Sequence, residues 1–378
     1  MRNLFFIFSL LCFSLSVFFS CTEKEILANP DGVIKPDTSQ NTAINIQYLG
    51  KLLFYDPILS GDKTVACATC HHPDFGYTDG LDLSIGVNGK GLGPKRQFVS
   101  TAFSFTKRKC MTVINSAFIG ADLNGKFDST KAPMFWDSRV NSLEKQALLP
   151  IVSDVEMRGN AYSEEVALDS VINRLKNIPE YNSLFTKLFG GQEPVSANNL
   201  GKAIAAFERS LTAMNSQYDR YQKGDFEALS DLEIRGMNAF RSDGCDRCHS
   251  GNMFSDYKLH TLSVPDNPKS KISDAGANGK YAFRTPSLRN IKNTGPYMHS
   301  GVFKTLEEVL DFYRLIADEK SQNPNVPASE LDFFINSMGP PGQKEAIVAF
   351  IKTLSDSNFD RSIPKSVPSK LSVGGNIQ

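Results

Sequence analysis

Neither sign of charge is in excess in this 378-residue sequence, because lysine plus arginine and aspartate plus glutamate each number 41. A chain without net charge is not drawn to nucleic acid or to an acidic surface. Beyond the N-terminus there is no long apolar run, and no stretch shows the sustained alternation of a half-buried sheet. An apolar share of 41% and an aromatic share of 10% are enough to form hydrophobic cores, and the length suits two domains.

The one long apolar run lies at the N-terminus, from Leu4 to Phe19. It is shorter than the roughly 20 residues that span a bilayer, and a basic residue precedes it, as in secretory signal peptides. Cys21 follows a small residue, which resembles the cleavage site of bacterial lipoproteins. We therefore predict a lipoprotein-type signal peptide at 1–21, a flexible tether at 22–41, and an exported, periplasmic protein held to the membrane only by a lipid on Cys21. Cleavage without lipidation is the alternative.

Two clusters of cysteine and histidine have the same design, "CATCH" at residues 67–71 and "CDRCH" at residues 245–249. In each cluster two cysteines are three positions apart, and a histidine directly follows the second cysteine. Paired thiols in an oxidising compartment form disulfides, bind a metal or are consumed by covalent chemistry. Each cluster is therefore a candidate functional site.

Three kinds of site could explain these clusters. A zinc site needs four ligands, and the interval between the two pairs far exceeds zinc-ribbon spacing. A thioredoxin-like redox pair requires neither the histidine nor a second copy. Covalent haem attachment explains both clusters, because two thiols one helical turn apart form thioethers while the adjacent imidazole ligates the iron. The predicted sites are Cys67 and Cys70 with the iron ligand His71, and Cys245 and Cys248 with the iron ligand His249. His72 comes one residue too late and is predicted to be a surface histidine.

The surroundings of the two clusters also repeat, which predicts two tandem cytochrome c-like haem domains. The repeated positions are Gly50, Phe54 and Phe75 in the first half, and Gly236, Phe240 and Phe254 in the second. Helical periodicity predicts a mainly α fold. The predicted helices span residues 163–176, 178–189, 197–213, 230–241, 305–316 and 343–354.

Four motifs in order resemble the bacterial di-haem cytochrome c peroxidase family, which includes the MauG-like enzymes. They are "LGKLLFYDPILS", the first haem motif, "FWDSRVNSLEKQALLPIVSDVEM" and "FRTPSLRNIKNTGPYMHSGVFKTLEEVLDFY". The similarity runs from about residue 46 to residue 354. It implies an N-terminal peroxidatic haem domain at 42–222 and a C-terminal electron-transfer haem domain at 223–362, followed by a loose tail at 363–378.

The resemblance also implies roles for residues outside the haem motifs. Trp136, the only tryptophan, matches the residue between the two haems. Gln146 matches the distal glutamine, and Glu156 matches the distal acid of the peroxide site. A carboxyl group there can move a proton between the two oxygens of peroxide, a step worth roughly 10²–10⁴-fold in rate.

Two departures from the family concern the first haem and a metal site. Many members close the first haem with a second histidine, whose position here is Val87, so this pocket is expected to stand open. The family's calcium uses two backbone carbonyls, matching Thr294 and Pro296, and an asparagine whose position here is Lys109. A lysine brings positive charge to the place where a cation would bind, which argues against calcium.

A third departure concerns the second haem, where the usual methionine ligand is replaced by Tyr313, as in MauG-like members. Tyr313 lies on the apolar face of a predicted helix, and this pattern by itself is explained equally well by core packing. The family spacing favours iron ligation. Met298 and Met338 are the alternative ligands.

The resulting hypothesis is a di-haem peroxidase that reduces hydrogen peroxide with electrons from a small cytochrome c or cupredoxin. The alternative is a MauG-like oxidase that uses peroxide to modify side chains of a partner protein. A third possibility is an electron-transfer cytochrome without catalysis, which would close both axial positions of each iron.

Overall fold

The chain is largely helical in its computed structural model, which describes residues 45–120, 128, 130–318, 320–336 and 342–378. The helices are α1 (Ile46–Tyr55), α2 (Cys67–Cys70), α3 (Leu143–Gln146), α4 (Leu149–Val152), α5 (Glu164–Lys176), α6 (Pro179–Phe189), α7 (Ala197–Ser210), α8 (Gln217–Gln222), α9 (Asp231–Ser242), α10 (Leu306–Ala317), α11 (Phe333–Asn336) and α12 (Lys344–Lys352). The strands of the described residues form two short antiparallel ribbons, β1 (Gly89–Lys90) with β2 (Gln97–Phe98) and β3 (Leu259–Thr261) with β4 (Ala282–Arg284). The prediction of a mainly α fold is confirmed.

All six segments predicted as helices are helical, and each boundary lies within three residues of the prediction. Their ends are fixed by local chemistry. α9 and α10 each begin with a capping box, in which Ser230 pairs with Glu233 and Thr305 pairs with Glu308. α6 ends at Gly190, whose φ of 61° suits a residue without a Cβ atom.

The first hydrophobic core forms where α1 crosses α7. Gly50 permits the close approach, because a Cβ atom at this position would overlap the carbonyl group of Ala203. Beside the crossing, the rings of Phe54 and Phe207 meet edge to face with centroids 5.1 Å apart. Both phenylalanines are buried.

The second core repeats this arrangement where α9 crosses α12. A Cβ atom at Gly236 would overlap the carbonyl group of Ala346. The rings of Phe240 and Phe350 are 5.4 Å apart at an interplanar angle of 63°, against 64° for the pair in the first core. The repeat seen in the sequence is therefore a repeat of helix packing as well.

The division between the two cores falls slightly earlier than the predicted boundary at residues 222 and 223. Tyr218 and Tyr221, both on α8, pack against the second core. Ala213 still belongs to the first core. Both cores lie within one compact unit of the chain.

The prediction of a loose tail at 363–378 is wrong, because this segment packs against the first core. Val367 is 3% exposed and joins that core. The Ser369 hydroxyl donates to the carboxylate of Asp56 at 2.6 Å, and the Gly374 amide donates to the carbonyl oxygen of Tyr55 at 2.8 Å. These partners lie about 300 positions earlier in the sequence, where local composition gives no sign of them.

The predicted signal peptide at 1–21 and tether at 22–41 lie outside the described residues. Among the helices that the structure describes, none is both long and apolar enough to cross a bilayer.

Candidate haem sites

The first cysteine cluster is a single helical turn, α2. The amide of His71 donates to the carbonyl oxygen of Cys67 at 2.9 Å, which brings the imidazole to the end of this turn. Thr69 fixes the turn from inside, because its hydroxyl accepts from the Ala66 amide and donates to the carbonyl oxygen of Gly374 at 2.7 Å. The C-terminal tail therefore contacts the predicted haem-attachment turn directly.

A hydrogen bond from Nδ1 orients the His71 ring. Its Nδ1–H donates to the carbonyl oxygen of Tyr77 at 3.1 Å, and burial lowers the pKa of the ring, so the imidazole is neutral. In this tautomer Nε2 carries the free lone pair that a metal requires. The thiol of Cys110 lies 3.4 Å from Nδ1 and 3.7 Å from Nε2. Since these distances are nearly equal, the sulfur does not lie along the direction of the Nε2 lone pair.

The second cluster is a 3₁₀ turn, Cys245–Arg247, and its histidine makes the same two kinds of hydrogen bond. The His249 amide donates to the carbonyl oxygen of Cys245 at 3.0 Å, and its Nδ1–H donates to the carbonyl oxygen of Phe254 at 3.1 Å. Burial lowers the pKa of His249 to about 4, so this ring is neutral too. The counterpart of Phe254 in the first half is Tyr77, which has the same left-handed backbone, and not Phe75 as the sequence suggested.

The thiols of both clusters are partly buried and form no disulfide. Burial raises the pKa of Cys70 and Cys245 to about 12.

An apolar cavity beside the second cluster fits a haem. Cys245, Cys248 and His249 line one side of it, and Tyr313 of α10 lies on its wall as well. The hydroxyl of Tyr313 makes no hydrogen bond to any described residue, and burial raises its pKa. Met298 also lines this cavity, whereas Met338 lies outside the described residues. A phenol that has no hydrogen-bond partner and lines the same cavity as His249 is a suitable oxygen donor for iron.

Glu156 lies in a π-helical turn, Asp154–Arg158, next to the first core. The side chain is partly buried, and burial raises the pKa of its carboxyl group, opposed by a hydrogen bond with Ser153. Its backbone carbonyl oxygen accepts from the amide of Val87 at 3.1 Å. The backbone of Val87 is thus hydrogen-bonded to the turn that carries the predicted catalytic acid.

Gln146 is the last residue of α3, which packs against α7, and it is partly buried. The hydroxyl of Ser142 begins this helix by accepting from the Lys145 amide. No hydrogen bond joins the side chains of Gln146 and Glu156.

Trp136 contacts the surroundings of both clusters. Its indole Nε1–H donates to the carbonyl oxygen of Lys109 at 2.9 Å, and the next residue, Cys110, touches His71. Its ring lies 6.4 Å from the ring of His299, and both rings line the cavity that contains His249. Trp136 therefore contacts residues that neighbour each of the two candidate sites, and its role between two haems stays a prediction.

The residues considered for calcium line the same cavity. Thr294 and Pro296 lie on its wall together with Lys109, which is 5% exposed. The Nζ group of Lys109 donates to the carbonyl oxygen of Cys110 at 3.2 Å, and burial lowers the pKa of this amine.

Three residues near the first cluster were predicted wrongly or not predicted at all. His72 is 3% exposed and not at the surface, because its Nδ1 accepts from the Asp74 amide and caps a 3₁₀ turn. The contacts of Tyr77 and Cys110 with His71 were not predicted. The only signal for Cys110 was that this cysteine had no assigned role.

Comparison with known proteins agrees with these sites. Residues 45–227 match the sequence model of a family described as Di-haem cytochrome c peroxidase. The chain is 33% identical over 347 residues to the methylamine utilization protein MauG of Methylorubrum extorquens, covering 90% of this chain and 87% of that protein. It is 30% identical to the cytochrome c551 peroxidase of Nitrosomonas europaea, covering 96% and 94%. A crystal structure of a MauG-like protein associated with microbial copper homeostasis superposes with a TM-score of 0.64 at 27% identity, covering 82% and 89%.

Proposed function

Because the chain belongs to the di-haem cytochrome c peroxidase family and is therefore an oxidoreductase with two covalently bound haems, we propose that it reduces hydrogen peroxide to water. Each peroxide takes up two electrons and two protons and gives two molecules of water. The proposed electron donor is a small periplasmic redox protein, a cytochrome c or a cupredoxin. The observation that carries this proposal is the duplicated site, in which each half has the same cysteine and histidine spacing, the same histidine hydrogen bond and the same helix crossing.

In this proposal each half of the molecule is one haem domain. Cys67 and Cys70 hold the first haem and Cys245 and Cys248 hold the second, with the two histidines that follow as proximal ligands. Tyr313 is the second ligand of the second haem. The repeated crossings of α1 with α7 and of α9 with α12 support two tandem domains, divided near residue 215.

When bound, the haems supply iron that passes electrons to peroxide. The protein has to supply protons in the right place. Glu156 has a raised pKa, which brings its carboxyl group closer to the working pH, where one group can both take and return a proton. The amide group of Gln146 orients the peroxide or a water molecule. Trp136 connects the two haem sites.

The experiment that tests this function mixes purified holoprotein with hydrogen peroxide and a reduced small cytochrome c. We expect oxidation of two cytochrome molecules for each peroxide consumed, followed optically. Holoprotein that contains two haems but consumes neither peroxide nor reduced cytochrome would be an electron-transfer protein, and the proposal would be wrong.

One observation favours a second function, a MauG-like oxidation of a partner protein. Tyr313 presents an anionic oxygen donor when deprotonated, which favours the more oxidised states of iron and lowers the potential of the second haem. Such a haem is a poor acceptor from ordinary cytochromes. Incubation of the holoprotein and peroxide with candidate partner proteins, followed by mass spectrometry, distinguishes the two functions, because only the oxidase leaves a permanent mass change in the partner.

We also propose that the protein is exported and carries a lipid on Cys21. The support is the sequence of residues 1–21 alone. Mass spectrometry of the mature N-terminus from the native host tests this proposal, and an unmodified N-terminus would leave cleavage without lipidation as the correct alternative.

A further inference from the structure

Arg284 is a buried charged residue to which the described chain supplies no counter-ion. It is 2% exposed, and no carboxylate of the described residues forms an ion pair with it. Arg289, which is also buried, is paired with Asp219, and the partly buried Arg108 is paired with Asp274. A buried guanidinium without a partner is costly, because it loses its hydration and gains no compensating charge.

The hydrogen bonds of the Arg284 guanidinium are also incomplete. Its Nε donates to the carbonyl oxygen of Phe135 at 3.0 Å, and its Nη2 lies 3.5 Å from the sulfur of Met111, a weak acceptor. An arginine side chain has five N–H donors. Arg96 is equally buried, but its guanidinium donates to four backbone carbonyl oxygens. Arg284 therefore retains donors for a further acceptor.

Arg284 lines the cavity next to His249. Its guanidinium lies over the ring of Tyr257, 5.7 Å from the ring centre, and Tyr257 lines the same cavity. The hydroxyl of Tyr257 is buried and has no hydrogen-bond partner. The cavity lining thus contains a cation without a counter-ion and an unused hydroxyl group on two neighbouring residues, and both groups can donate to a carboxylate.

We infer that Arg284 and Tyr257 bind a propionate group of the second haem. A haem carries two propionates, which are the anionic groups that this cofactor brings into an otherwise apolar cavity. A charge-assisted hydrogen bond from the guanidinium supplies the missing counter-charge, and the phenol supplies a second donor. The inference rests on the proposed placement of the second haem between Cys245, Cys248 and His249.

Arg284 also fixes the position of the bridging tryptophan. Its backbone amide donates to the carbonyl oxygen of Trp136 at 2.6 Å, and its side chain holds the carbonyl oxygen of Phe135, one residue earlier. The residue that binds the propionate therefore also holds the segment that carries Trp136. It is a binding residue for the haem and a positioning residue for the tryptophan.

The test compares four holoproteins, Arg284→Gln, Arg284→Lys, Tyr257→Phe and, as a matched control, Arg289→Lys. Arg289 lines the same cavity but is already paired with Asp219. Pyridine haemochrome assays first establish that each variant carries two haems. Resonance Raman spectra then report the bending modes of the haem propionates, and redox titration reports the midpoint potential of the second haem.

We expect Arg284→Gln to shift the propionate modes and to lower the potential, because loss of a positive charge stabilises ferric iron. Arg284→Lys keeps the charge and should retain most of the potential, while Tyr257→Phe should shift the propionate modes alone. The control should change neither property. Unchanged propionate modes in Tyr257→Phe and Arg284→Gln would overturn the inference, and if Arg284→Gln does not fold, Tyr257→Phe decides by itself. Wild-type protein with a single haem would instead contradict the proposed second site.

Discussion

At the scale of single residues, the Glu156 carboxyl group is the proposed proton carrier, and Glu156→Gln tests it. This change keeps the shape of the side chain but removes the exchangeable proton. We expect both haems and the fold to be retained, while peroxide cleavage slows by roughly 10²–10⁴-fold in stopped-flow absorbance measurements. Asp154→Asn is the matched control, because Asp154 is exposed in the same π-helical turn. Near-normal rates in Glu156→Gln would make Glu156 an ordinary carboxylate.

Tyr313 is the residue on which the choice between the two functions depends. If its phenolate ligates the second iron, Tyr313→Met should raise the potential of that haem and introduce the far-red absorption of a thioether–iron bond. Tyr313→Phe is the control, because it keeps the ring in the cavity but removes the oxygen donor. If the wild-type protein already shows the far-red band, a methionine such as Met298 is the ligand and Tyr313 only packs.

Glu208 predicts a pH dependence of stability. It is buried on α7 with an oxygen that has no partner, and burial raises its pKa to about 8, with Glu144 adding to the rise and Arg209 opposing it. In the unfolded chain the Glu208 carboxyl group loses its proton above about pH 4.3. Its contribution to the free energy of unfolding is therefore fully present below that pH and is lost as the pH rises towards 8.

Between these two pH values the free energy of unfolding should decrease by about 1.4 kcal/mol per pH unit. Glu208→Gln should remove this slope, so urea unfolding midpoints measured from pH 5 to pH 8 should fall less in the variant than in the wild type. Glu227→Gln, at an exposed position, is the control and should leave the slope unchanged. Parallel curves for wild type and Glu208→Gln would show that Glu208 ionises normally.

Candidate site residues could be predicted from the sequence where their chemistry requires a fixed local spacing. Two thiols and an imidazole that hold one haem are close in sequence, so both clusters could be predicted directly from their spacing. The contacts of His71 with Cys110 and the packing of Trp136 against His299 join residues far apart in the chain. No local pattern encodes such contacts. The unpaired guanidinium of Arg284 could likewise be seen only in the folded structure.

At the scale of helices, the two crossings depend on Gly50 and Gly236. Alanine usually stabilises a helix by up to about 1 kcal/mol relative to glycine. At Gly236 the added methyl group would overlap the carbonyl group of Ala346, so α9 and α12 would have to separate. We expect Gly236→Ala to lower the free energy of unfolding by about 1–3 kcal/mol in denaturant titrations, in spite of the better propensity.

The control for this prediction is Gly342→Ala, because a Cβ atom at Gly342 meets nothing within 4 Å and its backbone is unstrained. It should be close to neutral. A stabilising Gly236→Ala change would show that the helices can separate without loss of packing, and that the close crossing is not required for stability.

Helices could be predicted from the sequence where one face is buried and the other exposed. α5, α9 and α10 have this pattern together with capping residues, and their predicted boundaries were confirmed. α1 was not predicted as a helix, because six of its ten residues are buried and the apolar positions no longer mark a single face. The four-residue helices α2, α3 and α4 are too short to show a period.

At the scale of the whole molecule, the C-terminal tail connects the end of the chain to the first haem site. The Gly374 carbonyl oxygen accepts from Thr69 within the attachment turn, and the Asn376 carbonyl oxygen accepts from the Arg96 guanidinium at 3.1 Å. Arg96 in turn holds the carbonyl oxygens of Ile85 and Gly86, just before Val87. The tail thus supports both the turn that holds the first haem and the loop beside Glu156.

Removal of residues 363–378 should therefore weaken the first half of the molecule more than the second. The loss of the buried Val367 side chain costs about 1.5–3 kcal/mol, and the loss of the four hydrogen bonds described above costs about 1 kcal/mol each, so we expect a destabilisation on the order of 5–7 kcal/mol. Denaturant unfolding of the truncated holoprotein, with the spectra of the two haems followed separately, measures this difference. The first haem should lose its native spectrum at lower denaturant concentration than in the full chain, while the second changes little.

Ser369→Ala is the milder control, because it removes only the hydroxyl that bonds Asp56. If both haem signals shift equally after truncation, the two halves unfold as one cooperative unit, and the tail supports the molecule as a whole and not the first haem site alone.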